Sequence, residues 1–262
     1  MNARLPSSSA ADQALNAEQT IGHIAVHVPG ATAVFRRLKL DFCCGGQTRL
    51  ADAVIEKGLD LGAVMAELSA LQRPATLAQE TEPGALIDHI IARYHDVHRA
   101  QLPELIRMAH RVESVHRANP QVPAGLGNLL EQVQQELLTH MHKEEAILFP
   151  MLKSGGNPFV SQPIGMMRSE HVQHGNELDK INALTNDATP PAGACNTWRA
   201  LYAGLAQLNE DLINHIHLEN NVLFPQFDAT TAVPAAVATA PAAVAAGTPA
   251  GSCGGTSGCG CS

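Results

Sequence analysis

The chain has 262 residues, of which 45% are hydrophobic, and its formal net charge is -8 at pH 7. This length and apolar content suffice for one large or two small globular domains with a packed core. The negative charge and an aromatic content of only 3% argue against nucleic-acid binding, which needs basic surfaces or stacked aromatic rings. No apolar stretch is long enough to span a bilayer, and the amino terminus lacks the apolar core of an export signal. We therefore expect a cytoplasmic protein that binds neither nucleic acid nor membrane.

The amino-terminal part of the chain combines a polar segment with a short helical unit. Residues 1–17 are polar and rich in Ser and Ala, and we predict that they are disordered. Residues 18–72 hold several short helical patterns interrupted by Pro and Gly, which predict a small helical domain. The adjacent Cys43 and Cys44 precede a Gly-Gly turn in this domain. They could be two small buried hydrophobic residues, or a thiol site for redox exchange or transient metal handling.

Four long segments with helical periodicity follow a predicted linker at residues 73–84. Breaks rich in Pro, Gly and Asn separate the segments. Within residues 85–227 the predicted helices cover 85–117, 124–153, 160–186 and 195–226. Four such helices joined by short loops predict an all-α fold whose main domain is an antiparallel four-helix bundle. Pro103 lies inside the first helix and should bend it or mark an irregular turn.

The last segment, residues 228–262, is an Ala/Pro tether that ends in a tail rich in Gly and Cys. We expect it to be mobile. Because no export signal is recognised, the six cysteines of the chain indicate free thiols, metal ligands or redox groups rather than three disulfides. The tail thiolates of Cys253, Cys259 and Cys261 could hold iron, a cluster or a soft metal ion. An unstructured tail is the open alternative.

Two stretches of the bundle region have nearly the same sequence. Residues 140–150 read HMHKEEAILFP and residues 215–225 read HIHLENNVLFP, so each places a histidine four residues before a glutamate. In both helices the apolar residues recur at the three-then-four spacing of a buried face, and these histidines and glutamates continue that face. The side chains predicted to point into the bundle are His140, Glu144, His215 and Glu219.

The other two helices also bring histidines to an apolar face, as the pairs His95/His98 and His171/His174. The residue numbers of these pairs differ by 76, and those of the two repeated motifs by 75, which predicts two similar helical hairpins related by pseudo-symmetry. Buried imidazoles and carboxylates are costly unless they are paired or bind a metal ion. Imidazole with carboxylate suits iron, manganese or zinc, and two glutamates from two helices can bridge two ions. A polar network in the core is the alternative interpretation.

The same spacing predicts that four other histidines of these helices lie outside the set of metal ligands. His98 and His174 share the apolar face one turn from the centre, where they could support the metal ligands without binding the metal. His142 and His217 lie two residues beyond the motif histidines and should point outward, since two residues turn a helix by about 200°.

These motifs, in this order, resemble those of the di-iron family for repair of iron centres, the YtfE/ScdA family. The resemblance spans roughly residues 18–227 and rests on the stretches DFCCGG, IIARYHDVHRAQLPEL, HMHKEEAILFP, SEH and HIHLENNVLFP. It implies an amino-terminal domain with a cysteine pair joined to a hemerythrin-like four-helix bundle that holds a non-haem di-iron centre. Members of the family are implicated in restoring iron-sulfur clusters damaged by nitric oxide or peroxide, and in handling nitric oxide itself.

Carried over by position, the resemblance implies a ligand set for two iron ions, with carboxylate bridges, room for an oxo bridge and an open position for oxygen or nitric oxide. The implied ligands are His95, His140, Glu144, His171, His215 and Glu219. Glu170, beside one of them, is either a group that holds a ligand or handles protons, or a solvated charge. Glu145 should face away from the centre as an ordinary surface charge.

The resemblance implies a stress-response protein that supplies iron from a labile di-iron centre to damaged iron-sulfur proteins or cluster scaffolds. Binding or sensing of nitric oxide or oxygen, and reduction of nitric oxide at the same centre, are the alternatives, so the chain need not be an enzyme. The thiol pair argues against a simple oxygen carrier, which would need no thiols. Donation and reduction both require the same ligands and an accessible iron pair, so the sequence does not separate them. An exposed Cys-Cys turn could also support a disulfide-linked homodimer.

Overall fold

The computed structural model describes residues 15–71 and 82–228. Within these ranges every regular element is helical, apart from one isolated backbone bridge. None of the helices in this part of the chain is both long and apolar enough to cross a membrane. Most of the predicted disordered amino terminus, most of the predicted linker and the tail with its three cysteines lie outside the described residues. The residues concerned in the tail are Cys253, Cys259 and Cys261.

Four short helices form the amino-terminal domain. They are α1 (Ile21–His27), α2 (Ala31–Arg37), α3 (Leu50–Glu56) and α4 (Leu61–Leu71). The hydroxyl of Thr20 caps α1 by accepting a hydrogen bond from a backbone N–H of its first turn. Gly30, the residue just before α2, has a φ of 90°, a left-handed conformation that costs glycine little. The apolar faces of the four helices enclose a core that includes Phe35 and Phe42, so the predicted small helical domain has a core of its own.

Four long helices form the remainder of the described chain. The first bundle helix comprises α5 (Pro83–Ile90), a π-helical turn (Ile91–His95) and α6 (Asp96–Val115). The second comprises α7 (Leu126–Lys143), a π-helical turn (Glu144–Leu148) and α8 (Phe149–Lys153). The third is α9 (Ser161–Thr185). The fourth comprises α10 (Asn196–Leu218), a π-helical turn (Glu219–Leu223) and α11 (Pro225–Asp228). The predicted all-α fold with a hemerythrin-like bundle is confirmed, whereas the three wide turns were not predicted.

The first bundle helix is not interrupted at Pro103. The α6 helix runs from Asp96 to Val115 through this proline, although proline removes one helical hydrogen bond and crowds the preceding turn. Leu102 and Leu105 flank Pro103 and are fully buried in the bundle core, and this packing holds the helix together. The irregular turn of this helix therefore lies earlier, where the chain must aim a histidine into the bundle.

The bundle interior contains two apolar clusters with a polar layer between them. One cluster includes Leu137 and Leu212, and the other includes Leu148, Leu223 and Phe224. Along the second and fourth bundle helices the repeated His-x3-Glu motif falls between these clusters. The helix periodicity thus delivers polar side chains to one level of an otherwise apolar core, where they are shielded from water on both sides.

The amino-terminal domain packs on the bundle through a close backbone approach. The side-chain amide of Asn221 donates hydrogen bonds to the carbonyl oxygens of Phe42 (3.1 Å) and Cys43 (3.3 Å). A Cβ atom built on Gly22 would lie 2.6 Å from Asn221 Oδ1 and 2.8 Å from the backbone oxygen of Gly46, so this position needs glycine. Ile213 of the fourth bundle helix packs against the cores of both domains. The domain with the cysteine pair is therefore tied to the helix that carries one copy of the repeated motif.

Candidate metal centre

Six polar side chains from all four bundle helices meet in the layer between the two apolar clusters. Each is at most 1% exposed. They are His95, His140, Glu144, His171, His215 and Glu219. These are the residues that the sequence pattern and the family resemblance select as metal ligands. Their donor atoms form two overlapping groups whose members all lie within 4.8 Å of one another.

The first group is built on His95 and His215. Their Nε2 atoms lie 3.0 Å apart. Glu144 Oε2 lies 3.4 Å from the Nε2 of His95, and Glu219 Oε1 lies 3.1 Å from the Nε2 of His215. Two imidazole nitrogens and one oxygen of each glutamate thus face a common point.

The second group is built on His140 and His171. Their Nε2 atoms lie 3.1 Å apart. Glu144 Oε1 lies 3.4 Å from the Nε2 of His140, and Glu219 Oε2 lies 3.0 Å from the Nε2 of His171. Each glutamate therefore directs one oxygen to each group and lies between them.

The donor set fits a bound metal cation better than it fits a polar network. Both oxygens of Glu144 and Oε2 of Glu219 are buried and accept no hydrogen bond from the described residues, a costly state for carboxylate oxygens. In addition, the facing Nε2 atoms of His140 and His171 both carry lone pairs, because their Nδ1 atoms hold the ring hydrogens. A cation near these atoms would interact favourably with both the carboxylate oxygens and the imidazole lone pairs. Mixed imidazole and carboxylate donors suit iron, manganese or zinc.

All three π-helical turns begin or end at a residue of this set. His95 ends the first, Glu144 begins the second and Glu219 begins the third. The N–H of Phe224 donates to the carbonyl of Glu219 (2.8 Å), five residues back. Wide turns of this kind often occur at functional sites. Proline follows two of them, in the repeated Leu-Phe-Pro, and the wider turn eases the clash of its ring with the preceding turn.

Burial favours the neutral imidazole at two histidines of the set, His95 and His140, in the metal-free protein. Loss of solvent, followed by the proximity of His215, lowers the pKa of His95 to about 4, and burial and His171 lower the pKa of His140 even further. Burial and the neighbouring Glu219 raise the pKa of Glu144 well above its usual range. Neutral imidazoles can accept a metal ion at neutral pH without first losing a proton.

Carboxylates hold two of the histidines from outside. The Nδ1–H of His95 donates to Glu145 Oε1 (2.7 Å), and Arg99 donates to the same oxygen (2.6 Å). The Nδ1–H of His140 donates to Glu170 Oε2 (2.9 Å), whose other oxygen accepts from Lys143 (2.5 Å). Such partners fix the ring orientation and the tautomer, leaving Nε2 free to bind a metal.

The prediction that Glu145 is an ordinary surface charge is therefore wrong. Its side chain is only 30% exposed and it bonds His95. Helical spacing places it beside Glu144 on the next face, but the π-helical turn that begins at Glu144 has more residues per turn and rotates Glu145 back toward the first bundle helix. Glu170 bonds His140, an arrangement compatible with the first of its two predicted roles, which stays a prediction.

An amide takes the same role for His171. Its Nδ1–H donates to Asn220 Oδ1 (2.9 Å), and Asn220 Nδ2 donates to the carbonyl oxygen of Cys43 (3.1 Å). Sequence reasoning missed Asn220, although it follows Glu219 as Glu145 follows Glu144. A continuous chain of hydrogen bonds thus joins the candidate centre to the loop that carries the cysteine pair.

Replacing Asn220 by Leu is expected to lower metal affinity by roughly 10- to 100-fold, the usual cost of removing an outer partner from a metal-binding histidine. Asn221→Ala is the matched control, because Asn221 bonds the same loop of the amino-terminal domain but does not contact His171. Competition with a chelator of known affinity measures both variants. Equal losses in the two would show that Asn220 acts only through domain packing.

His98 and His174 lie beside the centre and outside both groups of donors. Their rings lie 5.5 Å from the ring of His215 and 5.0 Å from the ring of His140, respectively. His174 Nδ1 lies 3.3 Å from Glu177 Oε2, whereas neither ring nitrogen of His98 has a hydrogen-bond partner among the described residues. Their suggested role in supporting the ligands stays a prediction.

His142 is exposed, as its helical position predicts, and His217 points out of the bundle as predicted, but it is buried. His217 is only 4% exposed. Its ring packs edge-on against Phe42, with 5.2 Å between ring centres, and its Nδ1 accepts a hydrogen bond from Asn221 (3.0 Å). The residue does point away from the bundle, and the amino-terminal domain covers it there.

The metal-free protein is expected to lose stability as the pH falls from 6.5 toward 4. Burial lowers the pKa of His95 and of His217 to about 4, below the value of about 6.5 in an unfolded chain. The unfolded chain therefore binds more protons in this window, which costs the folded state up to about 3 kcal/mol per histidine below pH 4.

Thermal unfolding of metal-free wild type and His217→Gln between pH 7.5 and 4.5 measures the effect. The variant should lose less stability on acidification, and the difference between the two proteins isolates His217 because the titrating glutamates are common to both. An equal loss of stability with falling pH in the two proteins would contradict the lowered pKa of His217.

The cysteine pair lies where the amino-terminal domain meets the bundle. Cys43 and Cys44 are half-buried, with their Sγ atoms 3.7 Å apart, and the thiol of Cys43 donates to Asp41 Oδ1 (3.2 Å). The Cys44 thiol, burial and the Asp41 carboxylate all raise the pKa of Cys43. Both residues line a cavity of about 710 Å³, here called the thiol cavity, which Asn220 and Arg168 also line.

Comparison with known proteins agrees with this fold. The described bundle is a hemerythrin-type cation-binding domain: residues 86–227 match the hemerythrin HHE cation binding domain. Residues 17–72 match ScdA_N, a domain of unknown function.

Full-length relatives make the assignment narrower. The chain is 49% identical to the iron-sulfur cluster repair protein YtfE of Dickeya chrysanthemi over 212 residues, which cover 80% of this chain and 96% of the relative. The Citrobacter koseri protein of the same name is 49% identical over 211 residues, and that of Yersinia pestis 48% identical over 211, again across 96% of each relative. The chain belongs to this YtfE family of hemerythrin-like proteins with an amino-terminal ScdA_N domain.

Proposed function

We propose that the chain repairs damaged iron-sulfur clusters by donating iron held in its bundle. One observation carries this proposal: two glutamates with unsatisfied buried oxygens each reach both of two histidine pairs. Two iron ions, held by those histidines and bridged by Glu144 and Glu219, would satisfy all of these atoms. The relatives' name, iron-sulfur cluster repair protein, supports the use of that iron for repair.

The chain's own residues have three tasks in this proposal. The carboxylates and the amide outside the centre hold the histidines with Nε2 directed inward. The rings of Phe149 and Phe224 stack parallel to His95 and His171, with 5.7 and 6.1 Å between ring centres, and exclude water. When bound, iron supplies redox and Lewis-acid chemistry, and in donation it is also the cargo.

The thiol cavity gives the amino-terminal domain its part in the proposal. The hydrogen-bonded path His171, Asn220, Cys43 connects the centre to the cavity wall, and two thiols with a carboxylate nearby could take up an iron ion in transit. The partners would be damaged iron-sulfur proteins or cluster scaffolds in the cytoplasm. A disulfide-linked homodimer stays a prediction.

Binding of nitric oxide or oxygen at the same centre is the second candidate. The observation in its favour is the apolar wall formed by Phe149, Phe224 and Tyr94 around the donors, which admits small apolar molecules more readily than water or ions. Reduction of nitric oxide would use the same arrangement with an external electron donor.

Anaerobic purification followed by iron analysis and Mössbauer spectroscopy, before and after addition of an iron-depleted cluster protein, separates these functions. Donation predicts two coupled irons per chain that appear in the acceptor. Irons that stay in the bundle and respond to nitric oxide or oxygen would support the second candidate instead. Fewer than two irons in freshly purified protein that also refuses added iron would refute the proposed centre.

A further inference from the structure

We infer that the two metal positions are unequal, and that the position between His95 and His215 holds its ion more weakly than the position between His140 and His171. These are called the first and the second position. The inference rests on the two-ion centre proposed above and goes beyond it by ranking the ions. The observation behind it is that the outer nitrogen of His215, Nδ1, is buried and has no hydrogen-bond partner among the described residues.

Both histidines of the second position are held from outside. His140 Nδ1 bonds Glu170, which Lys143 holds in turn. His171 Nδ1 bonds Asn220, whose amide is fixed by the Cys43 carbonyl. Each imidazole is thus held in the tautomer that presents Nε2 to the metal, and each is made a stronger donor by the acceptor behind it.

Only one histidine of the first position has such a partner. Glu145 accepts from His95 Nδ1 at 2.7 Å. Behind His215, the pseudo-symmetry that relates residues 76 apart puts Tyr94 where the second position has Glu170. The Tyr94 ring lies nearly parallel to the ring of His215, with 5.6 Å between centres and 7° between planes. It packs on the imidazole, and its ring offers Nδ1 no hydrogen-bond acceptor.

No other polar group of the described bundle takes the place of the missing partner. His98 is close to His215, but both of its own ring nitrogens also lack partners among the described residues. Asp211, one turn before His215 on the same helix, is buried, and its Oδ1 is engaged by Arg93 at 2.6 Å. Gln101 occupies the position equivalent to Glu177 of the other hairpin, and its side chain donates to the carbonyl of Gly204.

The consequence is a difference in affinity. Loss of an outer partner of a metal-binding histidine typically costs roughly 10- to 100-fold in metal affinity. Because Glu144 and Glu219 serve both positions, they do not offset this difference. With limiting metal the protein should therefore hold one ion, at the second position, and on depletion the ion between His95 and His215 should leave first.

An anaerobic titration of the metal-free protein with Co²⁺, followed by its visible absorption, tests the ranking without any repair assay. Wild type should fill in two steps whose affinities differ by roughly 10-fold or more. Glu170→Gln removes the carboxylate behind the second position. It should weaken the tighter of the two binding steps and so reduce the difference between the two affinities. Glu145→Gln removes the carboxylate behind the first position. It should weaken the weaker of the two binding steps further and so increase the difference between the two affinities.

A gain-of-function variant tests the cause. Tyr94→Glu places a carboxylate at the position equivalent to Glu170 and should strengthen the weak step, bringing the two steps together. Tyr94→Phe keeps the ring, removes only the hydroxyl and should leave both steps unchanged. Circular dichroism of each metal-free variant establishes that it is folded, and the two glutamine variants decide the question if Tyr94→Glu is not.

The outcomes separate this inference from the proposal on which it rests. Two ions filling in a single step of equal affinity would overturn the ranking and leave the two-ion centre standing. A gap that narrows in Glu145→Gln and widens in Glu170→Gln would reverse the ranking. A total of one ion per chain at saturation would overturn both the ranking and the two-ion centre.

Discussion

Replacing Glu144 by Leu is expected to lower the iron content from the two ions per chain of the proposed centre to one or none and, at the same time, to stabilise the metal-free protein. Both effects follow from the same geometry. Glu144 directs one oxygen to each histidine pair, so both positions lose a donor. In the metal-free state those oxygens accept no hydrogen bond from the described residues, and burial raises the pKa of Glu144. Removing such an unsatisfied buried group recovers about 1–3 kcal/mol.

Glu219→Leu is expected to lower iron content equally but to destabilise the metal-free protein. Although burial opposes its ionisation, His215 and His171 hold the pKa of Glu219 well below its usual range, and Glu219 Oε1 accepts a hydrogen bond from His215 (3.1 Å). The leucine would remove this hydrogen bond from His215 and the carboxylate that lies beside both imidazoles. Thermal unfolding after chelation measures both stability changes. Opposite signs would show that Glu144 is an unsatisfied buried group and that Glu219 is a hydrogen-bonded one.

Glu131→Leu is the matched control for both variants. Glu131 lies on the second bundle helix as Glu144 does, but its exposed carboxylate bonds only His110, away from the centre. Iron per chain should be unchanged in this variant. Full loading of Glu144→Leu and of Glu219→Leu would contradict the proposed ligation, because no other buried carboxylate of the described bundle joins both donor groups.

Hydrophobic periodicity was enough to predict the four bundle helices and the inward-facing His and Glu side chains. This succeeded because a residue's direction from a straight helix depends only on its position in the sequence. Glu145 and Asn220 escaped the same reasoning because each follows the first residue of a π-helical turn, where regular helical angles no longer hold. They bond His95 and His171, which lie on other helices. Residue spacing within one helix does not predict which helix lies opposite.

His217 illustrates a different limit. Its helical angle was predicted correctly, since it points out of the bundle, yet it is buried because the amino-terminal domain covers that side. Exposure is a property of the assembled domains, and periodicity within one helix carries no information about a second domain. The cysteine pair shows the same dependence: its place beside Asn220 follows from domain packing.

The double variant Cys43→Ser with Cys44→Ser is expected to keep two irons per chain and to lose most of the transfer of iron to a cluster acceptor. Iron content should survive because Asn220 bonds the backbone carbonyl of Cys43 and not its thiol. Serine preserves that carbonyl and can still donate to Asp41, so the loop that positions His171 through Asn220 should stay in place.

Transfer should fail because serine is a far weaker ligand than a thiolate for iron in transit. The raised pKa of Cys43 adds a second expectation. A protonated thiol must release its proton to bind a metal ion, so the rate of transfer by the wild-type protein should rise as the pH increases above neutrality. In the double variant, the residual rate should lack this dependence.

Cys195→Ser is the control for this experiment, because Cys195 is an exposed cysteine that contacts His116, away from the thiol cavity. Iron appearing in a cluster-free acceptor protein, followed over time from pH 6.5 to 8.5, gives the rates. Loss of bundle iron in the double variant would mean that the thiols support the centre itself. Unchanged transfer with the same pH dependence would remove the cysteine pair from the route, and the iron would then have to leave the bundle by a path that bypasses the thiol cavity.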